Sequence, residues 1–188
     1  MTYAARSMAS HGGPVRHFAA MNELHAQADR VEAAAADILA LRPRVAAAAP
    51  WPMAELFGTE AEASWGPPEL LAHLDEMLPF WLGEAERILE GDPGDPVPFG
   101  RPPTDTIRVG LIGRDRTVPF RELFARLSAD SSRVARRMRE LTDADGARVG
   151  LHPLRGALPV HELFERFVTS HLEGHVVQLR EILEARGA

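Results

Sequence analysis

His171 and His175 stand four residues apart in the stretch His171-Leu172-Glu173-Gly174-His175. In a helix that spacing turns about 40° and rises about 6 Å, so both imidazoles leave one face and can reach one ion. The face is apolar: Phe167 and Val168 precede His171 by one turn, and Val176 and Leu179 follow His175. His73 is placed likewise among Leu70, Leu74 and Met77. One histidine in such a stripe is ordinarily a core side chain bonded to a main-chain carbonyl, and a pair four apart is a weak motif by itself. Three together weigh differently. Each buried polar group without a partner costs about 1–3 kcal/mol, so three cost about 3–9 kcal/mol, set against a domain stability of about 5–15 kcal/mol. One shared cation satisfies all three lone pairs and leaves a fourth position for water or substrate, as catalytic rather than closed structural sites do. The competing arrangement pairs each ring with backbone or an acid.

Other side chains nearby carry weaker signals. Asp75 and Glu76 could orient a ligand imidazole or act as a base, against the plainer reading of a solvated helix face. Gln178, one turn beyond His175, could bond substrate or a ligand ring. Trp65 and Trp81 fit a core better than a substrate platform. Arg101, Arg108, Arg114 and Arg116 crowd one connection, where they either clamp an anionic substrate or lie in solvent. His161 is too far from His175 along a helix to share its ion, His152 precedes Pro153 in a turn, and His11, His17 and His25 read as exposed.

The chain has no cysteine, so a metal must be held by His, Asp or Glu and any thiol chemistry must use a thiol from outside. It has 21 basic residues, all arginine, which removes lysine Schiff-base chemistry. Net charge is −6, which disfavours nucleic acid as a partner. No apolar run has the roughly 18–20 residues needed to cross a bilayer, and the first twenty residues lack the apolar core of a signal peptide. The expectation is a cytoplasmic protein without membrane partners.

Four segments with a 3.6-residue apolar period must position these groups, and none shows a convincing period of two. The first spans about 15–41, with Pro43 ending or kinking it before an alanine-rich tract. The second follows Gly66-Pro67-Pro68-Glu69 and runs to Gly91, bent by Pro79. The third starts near Thr117, and the fourth spans about 159–185. Residues 91–116 read as a long loop rich in Gly, Pro and Asp, and the stretch before the last helix as a turn. The expected fold is all-α, an antiparallel four-helix bundle with a long connection between helices 2 and 3. A flexible N-terminus, 1–14, precedes one domain over 15–188.

Two stretches carry a family resemblance: Trp65-Gly-Pro-Pro-Glu69-Leu-Leu-Ala-His73-Leu74, and His171-Leu-Glu-Gly-His175-Val-Val-Gln178-Leu179, the latter preceded by His152-Pro153 and Gly156. Their order and helical setting resemble the DinB/YfiT-like superfamily of metal-binding four-helix bundles. Gly66 stands where that family has a serine cap, and Leu158-Pro159 where it often has threonine. The resemblance implies a divalent transition metal, zinc or nickel, on His73, His171 and His175. It also implies homodimers and activity with low-molecular-weight thiols. The expected function is a metal-dependent transferase, such as a thiol S-transferase, or a hydrolase acting on a small-molecule substrate. The alternative is a non-catalytic metal-stabilised bundle, sensor or interaction protein.

Overall fold

The computed structural model describes the backbone of residues 15–57 and 61–187, and side chains over 23–57 and 62–187. The segment 1–14, expected to be flexible, lies outside the described residues. Helix α1 (Val15–Ala40) buries Leu24, Ala28, Val31, Ala35 and Ile38 along one stripe. The chain breaks at Leu41 and resumes as α2 (Arg42–Ala47), with Pro43 in its first turn, where its missing N–H is harmless.

Helix α3 (Pro67–Glu90) starts from Gly66 with two prolines in its first turn. Glu69 makes this start. Its carboxylate is fully buried and accepts from the N–H of Gly66 at 3.2 Å, the N–H of Ala54 at 2.9 Å and Arg116 at 3.1 Å. That supplies the glutamate half of a capping box, the half that does not depend on a side chain at Gly66. The helix continues through Pro79 and ends at Gly91. Helix α5 (Phe120–Glu140) begins three residues later than Thr117 and packs on both α1 and α3.

The last helical stretch has three parts: α7 (Val160–Phe164), a π-helical turn (Glu165–Thr169) and α8 (Ser170–Ala185). Its buried residues Phe164, Val168, Leu172 and Val176 are spaced by fours. In a regular α-helix three such steps drift about 120° around the axis. The widened turn absorbs that drift and keeps the stripe, with His171 and His175, directed at α3. One core cluster joins Leu24, Leu74, Phe124, Phe164 and Leu172 across these helices.

Two expectations fail. Residues 91–116 are not a bare loop: they hold β1 (Val97–Pro98) and α4 (Thr106–Asp115), capped by Asp105, whose carboxylate accepts from the Arg108 N–H at 2.9 Å. Val109 and Ile112 of α4 form a second apolar cluster with Leu56, Trp65 and Ala72. The turn before the last helix contains an antiparallel hairpin, and α6 (Asp143–Gly146) precedes it. Its strands β2 (Val149–His152) and β3 (Gly156–Pro159) join β1, parallel to β2, in a sheet of order β1-β2-β3. The molecule is therefore mostly helical with a small sheet, not all-α.

The strands escape an apolar period-two search because β2 is inverted. Gly150 and His152 face inward, while Val149 and Leu151 are exposed. Gly150 lets the strand lie against α3: a Cβ there would stand 2.6 Å from Ile88 Cδ1 and 2.6 Å from Phe99 Cδ1. Gly150→Ala is expected to destabilise the fold by about 1–3 kcal/mol through this overpacking. Urea denaturation would read it, and an unchanged midpoint would mean the hairpin is not pressed on α3.

Candidate metal centre

His73 projects from α3, and His171 and His175 from α8. His73 and His175 are buried and His171 is half-buried. The Nε2 atoms of His73 and His175 each lie 2.9 Å from His171 Nε2. One ring nitrogen offers either one hydrogen or one lone pair, so His171 Nε2 cannot make two proper hydrogen bonds. The three ligand nitrogens lie within 4.8 Å of one another. Two nitrogens bound about 2.0–2.1 Å from one ion at 90–109° stand about 2.9–3.4 Å apart, which the two short contacts match. The rings could hold one ion.

The surroundings favour neutral rings with lone pairs available. Burial pushes the His73 and His175 rings below the ordinary histidine value and lowers His171 to about 3; the Arg108 guanidinium adds to the effect at all three. At His175 the tautomer is fixed. Its Nδ1 stands 2.8 Å from Gln178 Oε1, and the amide is oriented because Gln178 Nε2 donates to the Glu62 carbonyl at 2.7 Å. An amide oxygen only accepts, so Nδ1 carries the proton and Nε2 presents its lone pair. Gln178→Leu is expected to weaken divalent-metal affinity about 10–100-fold, with Gln178→Glu recovering most of it, by competition with a chromogenic chelator. Equal affinity in the leucine variant would show that Gln178 does not orient His175.

At His73 a second observation supports the fit. Glu76 Oε2 is buried without a hydrogen-bond partner, 4.0 Å from His73 Nδ1. An ion on Nε2 places the ring proton on Nδ1, beside that orphaned oxygen. Arg108 Nη2, 3.4 Å from the same Nδ1, can only donate to it and so competes with that proton. Burial raises the Glu76 carboxyl above its ordinary range, opposed by its ion pair with Arg101.

Of the acids singled out with Glu76, Asp75 lies elsewhere. It pairs with Arg126 at 2.9 Å and lines a separate cavity of about 660 Å³. Trp65 is buried with its ring edge-on to His73, centroids 5.5 Å apart. The four arginines of the connection form no clamp. Each pairs with a carboxylate of the protein: Arg101 with Glu76, Arg108 with Glu62, Arg114 with Asp115 and Arg116 with Glu69. His161 and His25 are bonded instead to main-chain oxygens, of Gly146 at 2.9 Å and Arg139 at 3.2 Å. Half-buried His25 is therefore not simply solvated.

His73 and His171 open onto a cavity of about 930 Å³ whose apolar wall includes Met77, Trp81 and Phe167. His152 and Arg155 line it too, and sequence reasoning missed both as site residues. The inward setting of His152 in β2 was the signal, hidden because the strand itself was hidden.

These features define a helical protein with a small sheet and an inward-facing histidine trio beside a cavity. The chain belongs to the DinB superfamily, whose family model matches residues 24–179 and so includes His73, His171 and His175. No curated protein and no solved structure matches it. Among the described residues no helix is long and apolar enough to cross a membrane.

Proposed function

We propose that His73, His171 and His175 hold a divalent transition ion, zinc or nickel, as the centre of a metal-dependent transferase or hydrolase acting on small molecules. The observation that carries this reading is the opening of two of the three rings onto a cavity of about 930 Å³, a size suited to a small-molecule substrate. A sealed structural ion would have no such face. The bound ion would supply Lewis acidity toward a polar group of the substrate. Gln178 keeps His175 Nε2 aimed, while Met77, Trp81 and Phe167 exclude water from one side of the cavity. Glu62 also lines the cavity, where its carboxylate pairs with Arg108.

The chain has no sulfur nucleophile among its cysteines, having none, so a low-molecular-weight thiol would enter as co-substrate. The resemblance to thiol-using relatives supports that choice. A panel of thiols against electrophilic acceptors, with and without chelator, tests it. Turnover abolished by chelator and restored by added zinc or nickel is expected. Turnover that ignores the chelator would overturn the metal role.

A further inference from the structure

We propose that Arg155 and His152 form an oxyanion subsite in the same cavity, which selects substrates bearing a carboxylate on an apolar or aromatic body. The inference rests on the reading of this cavity as a substrate site and names the class of molecule it takes.

The cavity wall carries four arginines, and three are already engaged. Arg101 pairs with Glu76, Arg108 with Glu62, and Arg166 with Glu162 at 3.1 Å. Among the described residues Arg155 is the one lining arginine with no carboxylate in ion-pair range. Its guanidinium carbon stands 5.8 Å from the centroid of Phe167, over the ring. A planar cation set against an aromatic wall, with its donors uncommitted, is suited to bidentate carboxylate binding.

His152 supplies a second donor. The Leu154 N–H donates to His152 Nδ1 at 3.2 Å, so the ring proton is on Nε2. Nε2 has no partner among the described residues. The ring is held in place: it stacks on Phe167 with centroids 5.2 Å apart, and meets Phe99 edge-on at 5.4 Å. Gly100, at φ +86°, approaches so closely that a Cβ there would be 2.6 Å from the ring. A residue only 4% exposed with an unused donor at a cavity wall is a built feature rather than a surface accident.

Placement ties the subsite to the metal centre. Phe167 stacks on Trp81 at 4.2 Å and precedes His171 by four residues, about 6 Å along the helix. A small molecule with its carboxylate at Arg155 and its body along Phe167 would therefore extend toward the histidine trio. Leu154, 74% exposed at the rim, adds apolar surface at the mouth.

Benzoate and benzamide, alike in shape and different in charge, provide the test. Binding is measured by calorimetry to the protein as purified, to the same protein stripped by chelator, and to Arg155→Met and His152→Phe. Benzoate is expected to bind about tenfold or more tightly than benzamide. Arg155→Met should erase that preference without changing metal content or helical circular dichroism, because Arg155 is exposed and methionine retains an apolar contact with Phe167. His152→Phe, which keeps the stack and removes the donor, should weaken benzoate severalfold. Equal affinity for the two probes, no binding of either, or a preference that survives Arg155→Met would overturn the subsite. So would a preference that vanishes with the metal, since benzoate would then be bound at the ion. Absence of turnover with the thiol panel would defeat the proposed reaction and leave this preference intact, so the two readings fail separately.

Discussion

The unaltered chain, purified without a polyhistidine tag, is expected to carry about one equivalent of transition metal, and His73→Ala, His171→Ala and His175→Ala are each expected to lose it. Structural zinc in zinc-finger peptides is worth about 10–16 kcal/mol at neutral pH, and on that scale one ligand of three accounts for several kcal/mol, on the order of 10²–10⁴ in affinity. His171→Ala should be the most damaging, because His171 Nε2 is 2.9 Å from both other ring nitrogens and its loss leaves the remaining two without their common neighbour. The effect should exceed that of altering Gln178, which acts through His175. Elemental analysis reads the result directly. Full metal content in one variant would remove that residue from the site, and full content in all three would place the ion elsewhere.

Stripped of metal, the protein is expected to lose stability steeply as pH falls below about 6.5, the ordinary histidine value. The three rings are held neutral in the folded chain, with His171 lowered to about 3 and the other two lowered by the same burial. Below about 6.5 the unfolded chain binds protons that the folded chain refuses, so protonation favours unfolding. The loss begins at the unfolded value and continues until the folded rings titrate. A ring held neutral contributes at most about 1.4 kcal/mol per pH unit within its window, and the window of His171, lowered to about 3, extends well below the ordinary histidine value. The Asp75, Glu76 and Asp130 carboxyls, raised by burial, have the opposite sign, because the folded chain holds their protons more tightly than the unfolded chain does. Urea midpoints between pH 8 and 5 should be level at the alkaline end and fall below pH 6.5. A triple glutamine variant at these histidines should show a much shallower slope. A level wild-type curve down to pH 5 would mean that the rings are solvated and the cluster is not closed as described.

The long helices and the trio were legible because both are written in spacing. His171 and His175 fall in one apolar stripe, and His73 falls in another that has to face it. Gln178 was found by the same helical arithmetic, one turn beyond His175, whereas Asp75 and Glu76 were chosen for nearness in sequence. The helical period separates the two: Glu76 is three residues past His73 and shares its face, while Asp75 is two past, on a face committed to Arg126. The elements that were missed lack that spacing. Helix α4 offers only Val109 and Ile112 as buried apolar side chains and carries Gly110 and Gly113, so its composition reads as loop. Strand β2 hides its period because a glycine and a histidine face inward and its apolar residues face out. His152 and Arg155 went unread for that reason. The four arginines of the connection looked like a clamp only because their partners, Glu62, Glu69, Glu76 and Asp115, are mostly distant in the chain. The π-helical turn did leave a trace, the run of buried residues at fours from Phe164 to Val176, which a search for alternating threes and fours passes over.

That turn makes chain length there as binding as residue identity. Inserting one further amino acid between 165 and 169 would swing everything downstream by about 100° relative to Phe164, aiming Ser170 and Gly174 where the imidazoles now point, with every ligand still present in the polypeptide. Descendants of this gene should therefore tolerate point changes along the stretch far more readily than the gain of a single codon.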